Sequence, residues 1–287
     1  MALATLLATL VTPLFAADTL PGTQSLTLTG DLSAQMVAGI DRFLDRELEA
    51  SVAKRAEFWK RDFTSPEAYE KSVAANREHL RKFIGAVDKR VVATQFEFVG
   101  GTATPSKVAE TDKYVVHAVR WPVFEGVNGE GLLLEPKGNA IASIIALPDA
   151  DQTPEQLCGL APGIQPESQF ARRLAEHGCR VLVPVLLSRE DTFSGSTTVN
   201  RWTNLPHREW IWRMAYELGR NPIGYEAQKV FAAVDLFGAP AGGAAIGVIG
   251  YGEGGLIALH AAALDPRIKT AVVSGSFDSR QKVWTEP

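Results

Sequence analysis

The chain has 287 residues, of which 46% are hydrophobic and 22% charged, values that exclude a disordered or fibrous protein and fit an ordinary globular one. A formal net charge of −4 removes the electrostatic reason to expect a nucleic-acid partner. The length can bury a large core, which leaves a soluble protein with a small-molecule or glycan partner as the working class.

Residues 1–17 are uncharged and mostly apolar until the small residues Ala16 and Ala17, which reads as a secretory signal peptide with its cleavage site. The run is shorter than the roughly 20 residues a spanning helix needs, so no membrane attachment is expected after cleavage and the protein is expected to be exported, to the periplasm or outside the cell. No Lys or Arg precedes the run, and a buried N-terminal strand or helix is the alternative. A polar linker over 18–31 leads to an N-terminal helical extension over 32–90. Ile40, Phe43, Leu44, Leu48 and Val52 recur at helical spacing, and Ser65-Pro66-Glu67 is a helix start: a capping side chain, proline in the first turn and an acid near the positive helix end. Phe43, Leu48, Trp59, Tyr69, Leu80 and Phe83 are the side chains expected to pack these helices on the domain that begins at residue 91.

From residue 91 the period changes. Tyr114 to Trp121 and Gly131 to Glu135, joined across Gly126-Val127-Asn128-Gly129, read as an antiparallel hairpin, and His117 within it reads as structural. Residues 140–147 form a nearly all-apolar run of the kind buried on both faces of a parallel sheet. The loop Pro148-Asp149-Ala150-Asp151, a helix near 168–176 and a second buried run, Arg180-Val181-Leu182-Val183-Pro184-Val185-Leu186, come after it. A polar segment precedes Trp202, Trp210 and Trp212, which read either as a stacking platform for sugar rings or as ordinary packing of a lid or helix. Cys158 and Cys179 are too few for a disulfide framework and have no metal-site spacing; they read as buried free thiols, with one disulfide as the alternative. No cofactor is implied.

An amphipathic helix over 225–237 then leads to Ile246-Gly247-Val248-Ile249-Gly250-Tyr251-Gly252-Glu253-Gly254-Gly255, an apolar run broken by glycines and resumed as an alanine-rich helix. One more strand closes on Ser274-Gly275-Ser276-Phe277. Over residues 114–287 this order, the strand-turn-helix unit and the closing turn resemble secreted bacterial α/β-hydrolases of the acetyl xylan esterase and dienelactone hydrolase branch. The resemblance implies a mostly parallel sheet with helices on both faces, occupying residues 91–287. It also implies a nucleophile elbow, G-x-S-x-G, in which a tight strained turn presents a serine at the helix N-terminus. Gly250 and Gly254 match the flanking glycines, Gly255 comes next, and Gly252 falls on the nucleophile position without a side chain to attack anything. Taking Glu253 as nucleophile instead would put Tyr251 where a small residue is needed.

The resemblance further implies an oxyanion hole built from the backbone N–H of Glu253 and one from the loop at Asp149 or Ala150. The Glu253 carboxylate is expected to point outward, toward the positive helix end. Asp278 stands where some relatives place an acid. None of His79, His117, His177, His207 and His260 lies beyond the elbow helix, and the sequence stops just past a buried strand, so the domain is expected to be C-terminally incomplete. Three readings are open: a protein of the carboxylic ester hydrolase branch with impaired or absent triad chemistry, meeting an acylated glycan or small ester; an active ester hydrolase using Ser274, Ser276 or Glu253; or a noncatalytic carbohydrate-binding or interaction protein.

Overall fold

The computed structural model describes residues 21–24, 27–101, 103, 105–238 and 244–277; the signal-like run over 1–17 and Asp278 lie outside them. The chain divides into two compact units, Met1–Ala56 and Glu57–Pro287. In the first, helix α1 (Leu32–Lys54) is opened by Asp31, whose side chain accepts from the N–H groups of Ser33 and Ala34. None of its residues is buried, Phe43 included, against the packing role expected from its apolar stripe.

The second unit begins with α2 (Pro66–Phe83), capped by the Ser65 hydroxyl as its sequence predicts. Leu80 packs on the core, whereas Phe83, expected to do the same, is exposed and stacks on His79 at 4.5 Å. The strands β1 (Glu97–Phe98), β2 (Lys107–Glu110), β3 (Tyr114–Phe124) and β4 (Val127–Pro136) come next, and β3 and β4 form the expected hairpin. After β5 (Ala142–Leu147) the chain runs through α3 (Pro154–Leu157) and α4 (Phe170–Glu176) into β6 (Arg180–Pro184). A small ribbon, β7 (Gly195–Ser196) with β8 (Arg201–Trp202), precedes α5 (His207–Tyr216) and α6 (Pro222–Gly238). The described part closes with β9 (Ala245–Tyr251), α7 (Glu253–Leu264) and β10 (Ile268–Ser274).

The main sheet runs β1-β3-β4-β6-β5-β9-β10, with β2 also on β3. β4 is antiparallel to β3 and β6, and from β6 to β10 all pairs are parallel, so the two all-apolar runs do occupy the sheet centre. Period-two alternation sends successive side chains to opposite faces. On β4, Leu133 joins Trp121, Ile145, Leu147, Val248 and Phe231 in one core, against α6 and α7. Leu132 and Leu134 join Val116, Val181 and Val183 in the other, with Leu157, Ala171 and Ala175 from α3 and α4. Cys158 and Cys179 are buried free thiols of this second core, and burial pushes the Cys158 thiol up to about 12.

The register of β5 on β9 pairs Leu147 with Gly250, which brings Pro148-Asp149 beside Tyr251-Gly252. Close approach there depends on missing side chains: a Cβ on Gly254 would stand 2.2 Å from the Pro148 carbonyl oxygen, and one on Gly255 would stand 2.5 Å from that of Ser274. The far end of α7 is held from α2, where Arg77 donates to the Ala263 carbonyl at 2.9 Å and Arg81 to that of Leu264 at 3.3 Å. These are helix-terminal carbonyls, and two cations satisfy them at the negative end of the helix.

Candidate functional site

Gly252 forms the turn between β9 and α7 with φ 56° and ψ −122°, a left-handed conformation that a side chain disfavours. Its N–H donates to the Ser274 carbonyl at 3.0 Å, and its carbonyl accepts from Leu256 as α7 begins. The tight turn expected at this residue is therefore present.

What stands against the turn is a carboxylate. Asp149 Oδ1 accepts the Glu253 N–H at 2.8 Å, and a Cβ placed on Gly252 would lie 2.5 Å from the same oxygen. The Asp149 N–H is itself taken, donating to Gln152 Oε1 at 3.1 Å. Of the backbone donors expected to form an oxyanion hole, that of Glu253 is thus filled by the protein's own anion and that of Asp149 by an amide oxygen. Ala150 is buried and adds its N–H to the Asp149 carboxylate.

Arg189, in the loop after β6, spans Asp149 and Asp151: Nη1 reaches Asp149 Oδ2 at 3.2 Å and Asp151 Oδ2 at 2.8 Å, and Nη2 reaches Asp149 Oδ1 at 3.3 Å. Burial alone would push the Asp149 carboxyl up, but the Arg189 guanidinium together with the Glu253 and Ala150 N–H groups outweighs it and holds the carboxyl below its ordinary range. The same contest has the same outcome at Asp151, where Arg189 supplies both side-chain and backbone donors. The loop that carries Arg189 is fixed from α6, with the Leu187 N–H on buried Glu226 at 2.7 Å and Lys229 on the Val185 carbonyl at 2.6 Å.

The Glu253 carboxylate does not point freely outward. It pairs with Arg208 of α5, the two side chains being 18% and 14% exposed, and Arg208 also donates to the Leu187 carbonyl at 3.1 Å. Charge that was expected only to complement the helix end instead ties α5 to α7.

One serine and one histidine do meet here. Ser188 and His207, the neighbours of Arg189 and Arg208, are joined at 3.0 Å through Oγ and Nδ1. His207 Nε2 accepts the Phe193 N–H at 2.8 Å, so a neutral imidazole carries its proton on Nδ1 and donates it to Ser188. A serine nucleophile needs the opposite polarity, with the imidazole accepting. His260 turns back on its own helix, Nδ1 lying 2.8 Å from the Leu256 carbonyl, and His117 packs edge-on against Phe98.

Ser274 ends β10 beside Tyr251, and the Ser276 hydroxyl is buried without a hydrogen-bond partner among the described residues. A cavity of about 560 Å3 opens along Ile249, Gly250, Tyr251 and Ser274, walled by Gln152 and Phe170 among others. The tryptophans are not part of that wall. Trp202 on β8 is 54% exposed and lies against Gly195, and Trp212 on α5 is 41% exposed and tilted on Tyr216 at 5.4 Å, so neither is buried packing; Trp210 is half-buried. Among the described residues no group of His, Cys, Asp or Glu side chains is arranged to hold a metal ion, and no helix is long and apolar enough to cross a membrane.

The network that the amino-acid order does not reveal is Asp149-Arg189-Asp151. Asp149 was expected to contribute its N–H, and its side chain turns out to be the group at the turn. The available signal was an acid-rich loop directly after a buried strand, with an arginine in the equivalent place after the next one.

No protein-family model and no curated protein sequence matches the chain. Solved structures do. A Bacteroides fragilis NCTC 9343 protein provisionally assigned as an acetyl xylan esterase superimposes with a TM-score of 0.54 at 16% identity, over 75% of this chain and 55% of that one. A methylesterase superimposes with a TM-score of 0.50 at 17% identity, over 79% of this chain and 45% of that one. The chain therefore spans about half the length of these two structures. The sheet order, the glycine turn at the end of β9 and these likenesses together give the second unit an α/β-hydrolase-type fold.

Proposed function

We propose that this chain is an exported protein of the carboxylic ester hydrolase branch whose elbow does not carry serine acyl transfer, and that its ligand is an acylated glycan or a small ester. One observation supports the reading above all: residue 252 has no hydroxyl, and the Asp149 carboxylate occupies the space beside it and the N–H of Glu253. Acyl transfer through a serine needs vacant donors where charge grows on the substrate carbonyl oxygen. Here that charge would have to grow against a carboxylate already in place. The ester class is supported by the names of the solved structures that share the fold.

The test is covalent trapping. The chain treated with an activated acetyl ester is expected to give no burst of acyl-enzyme, and a serine-directed fluorophosphonate is expected to leave its serines unmodified by peptide mapping. A phosphonate adduct on Ser188, Ser274 or Ser276 would overturn the reading and identify an active hydrolase. Export is tested separately by sequencing the mature N-terminus, expected near Ala17 or Asp18, after secretion from a host cell.

A further inference from the structure

We propose a second binding site, at the end of the sheet away from Gly252, that takes a single-ring phenol. It shares no residue with the Gly252 turn and its carboxylate network, so it stands whatever ligand that turn meets.

Arg180 opens β6, and Glu135 lies beside it near the close of the antiparallel strand β4. The pocket that both residues line therefore sits at the N-terminal ends of the parallel strands, whereas Gly252 follows the C-terminal end of β9. Its volume is about 250 Å3. An apolar cavity of about 150 Å3 is enough for benzene, so this one has room for one substituted ring and little more.

The apolar walls are aromatic. Phe96, Phe98 and Phe237 line the pocket together with Leu133. Phe96 is fixed by two edge contacts, with Trp121 at 5.9 Å and with Phe237 at 5.7 Å. Phe98, on β1, meets His117 edge-on at 5.0 Å and is still 55% exposed, so its ring has surface left for a guest. Aromatic pairs at such spacings attract each other beyond the area they bury, which favours a ring over an aliphatic chain of the same size.

The polar wall selects what the ring carries. Arg180 Nε lies 2.8 Å from Glu135 Oε1, but out of line for a hydrogen bond, and it is buried with no hydrogen-bond partner among the described residues. A buried donor in that position is costly until something accepts from it. A phenol hydroxyl answers both charged groups at once: its oxygen accepts from Arg180 Nε and its proton is donated to the Glu135 carboxylate. A carboxylate on the ring would face Glu135, an ammonium would face Arg180, and an unsubstituted ring would leave Nε as it is.

Fluorine-19 NMR titrations of the full chain with 4-fluorophenol, fluorobenzene and 4-fluorobenzoate test the proposal. The phenol is expected to bind with a Kd of about 1 mM, in keeping with its few atoms, and the other two about tenfold or more weaker. Phe98→Ala, at an exposed ring, should weaken the phenol about tenfold while melting as the parent chain does. Glu135→Leu should bring the phenol down to the level of fluorobenzene; if that variant does not fold, the three-ligand comparison on the unsubstituted chain decides alone. Absence of phenol binding at about 10 mM, equal binding of fluorobenzene or 4-fluorobenzoate, or full affinity retained by Phe98→Ala would each overturn the assignment.

Discussion

Asp149 and Gly252, separated by about a hundred residues of chain, occupy one site: the carboxylate of the first fills the volume that any side chain on the second would need, with Oδ1 2.5 Å from the position of a Cβ. Their proximity comes from the register of β5 on β9, and it makes each residue a condition for the other.

Gly252→Ser is therefore expected to destabilise the fold rather than install a nucleophile. A side chain in this backbone conformation costs about 1–3 kcal/mol, and the clash with Asp149 adds to it. Combining it with Asp149→Gly should recover the clash component but not the backbone component, giving a coupling on the order of 1–3 kcal/mol in a double-mutant cycle. Urea unfolding of the four proteins measures it, and strict additivity would show that the two side chains do not share the site.

The carboxylates of Asp149 and Asp151 have folded-state values below their ordinary range, so their contribution to stability is present above the unfolded value, about 3.9, and is lost as pH falls through the lower folded values. The stability gap between the unsubstituted chain and Asp149→Asn should stay level from neutral pH down to that value and narrow below it. Denaturant midpoints at a series of pH values check this; a gap that widens in acid would contradict the assigned ion pairs.

Arg77→Ala should leave the Ala263 carbonyl without its donor at the end of α7 and lower stability by about 1–2 kcal/mol, with Arg77→Lys intermediate. Amide exchange is expected to quicken first in the last turn of α7. Equal exchange rates in the variant and the parent chain would show that α2 does not secure that end.

Trp121 is fully buried between the sheet and α6, with its Nε1–H on the Lys229 carbonyl at 3.1 Å and Gly129 against its ring. Trp121→Ala should cost about 3–5 kcal/mol through the cavity it leaves. Thermal or urea unfolding gives the value, and a loss under about 1 kcal/mol would mean that the site collapses to fill the space.

The amino-acid order by itself determined the hairpin, the buried central strands, the glycine turn and the absence of a hydroxyl at residue 252. All of these come from local periodicity, from β-rich apolar runs and from the backbone freedom of glycine, which operate within a few residues of chain. It did not determine which side chain would stand at the turn. Asp149 read as a loop residue offering an N–H, Glu253 as a solvent-facing acid and Phe83 as a packing anchor, because each assignment depends on partners far away in sequence. The tertiary structure decided them through strand register, which set Asp149 against Gly252, and through the arginines. Arg189 and Arg208 reach back from the loop after β6 and from α5 to pair with Asp149 and Glu253, and at Asp149 the attraction outweighs the cost of partial burial. The tryptophans obey the same rule in reverse: a residue type that is usually well buried lies half in solvent at Trp202 and Trp212, because no described element covers that side of β8 and α5.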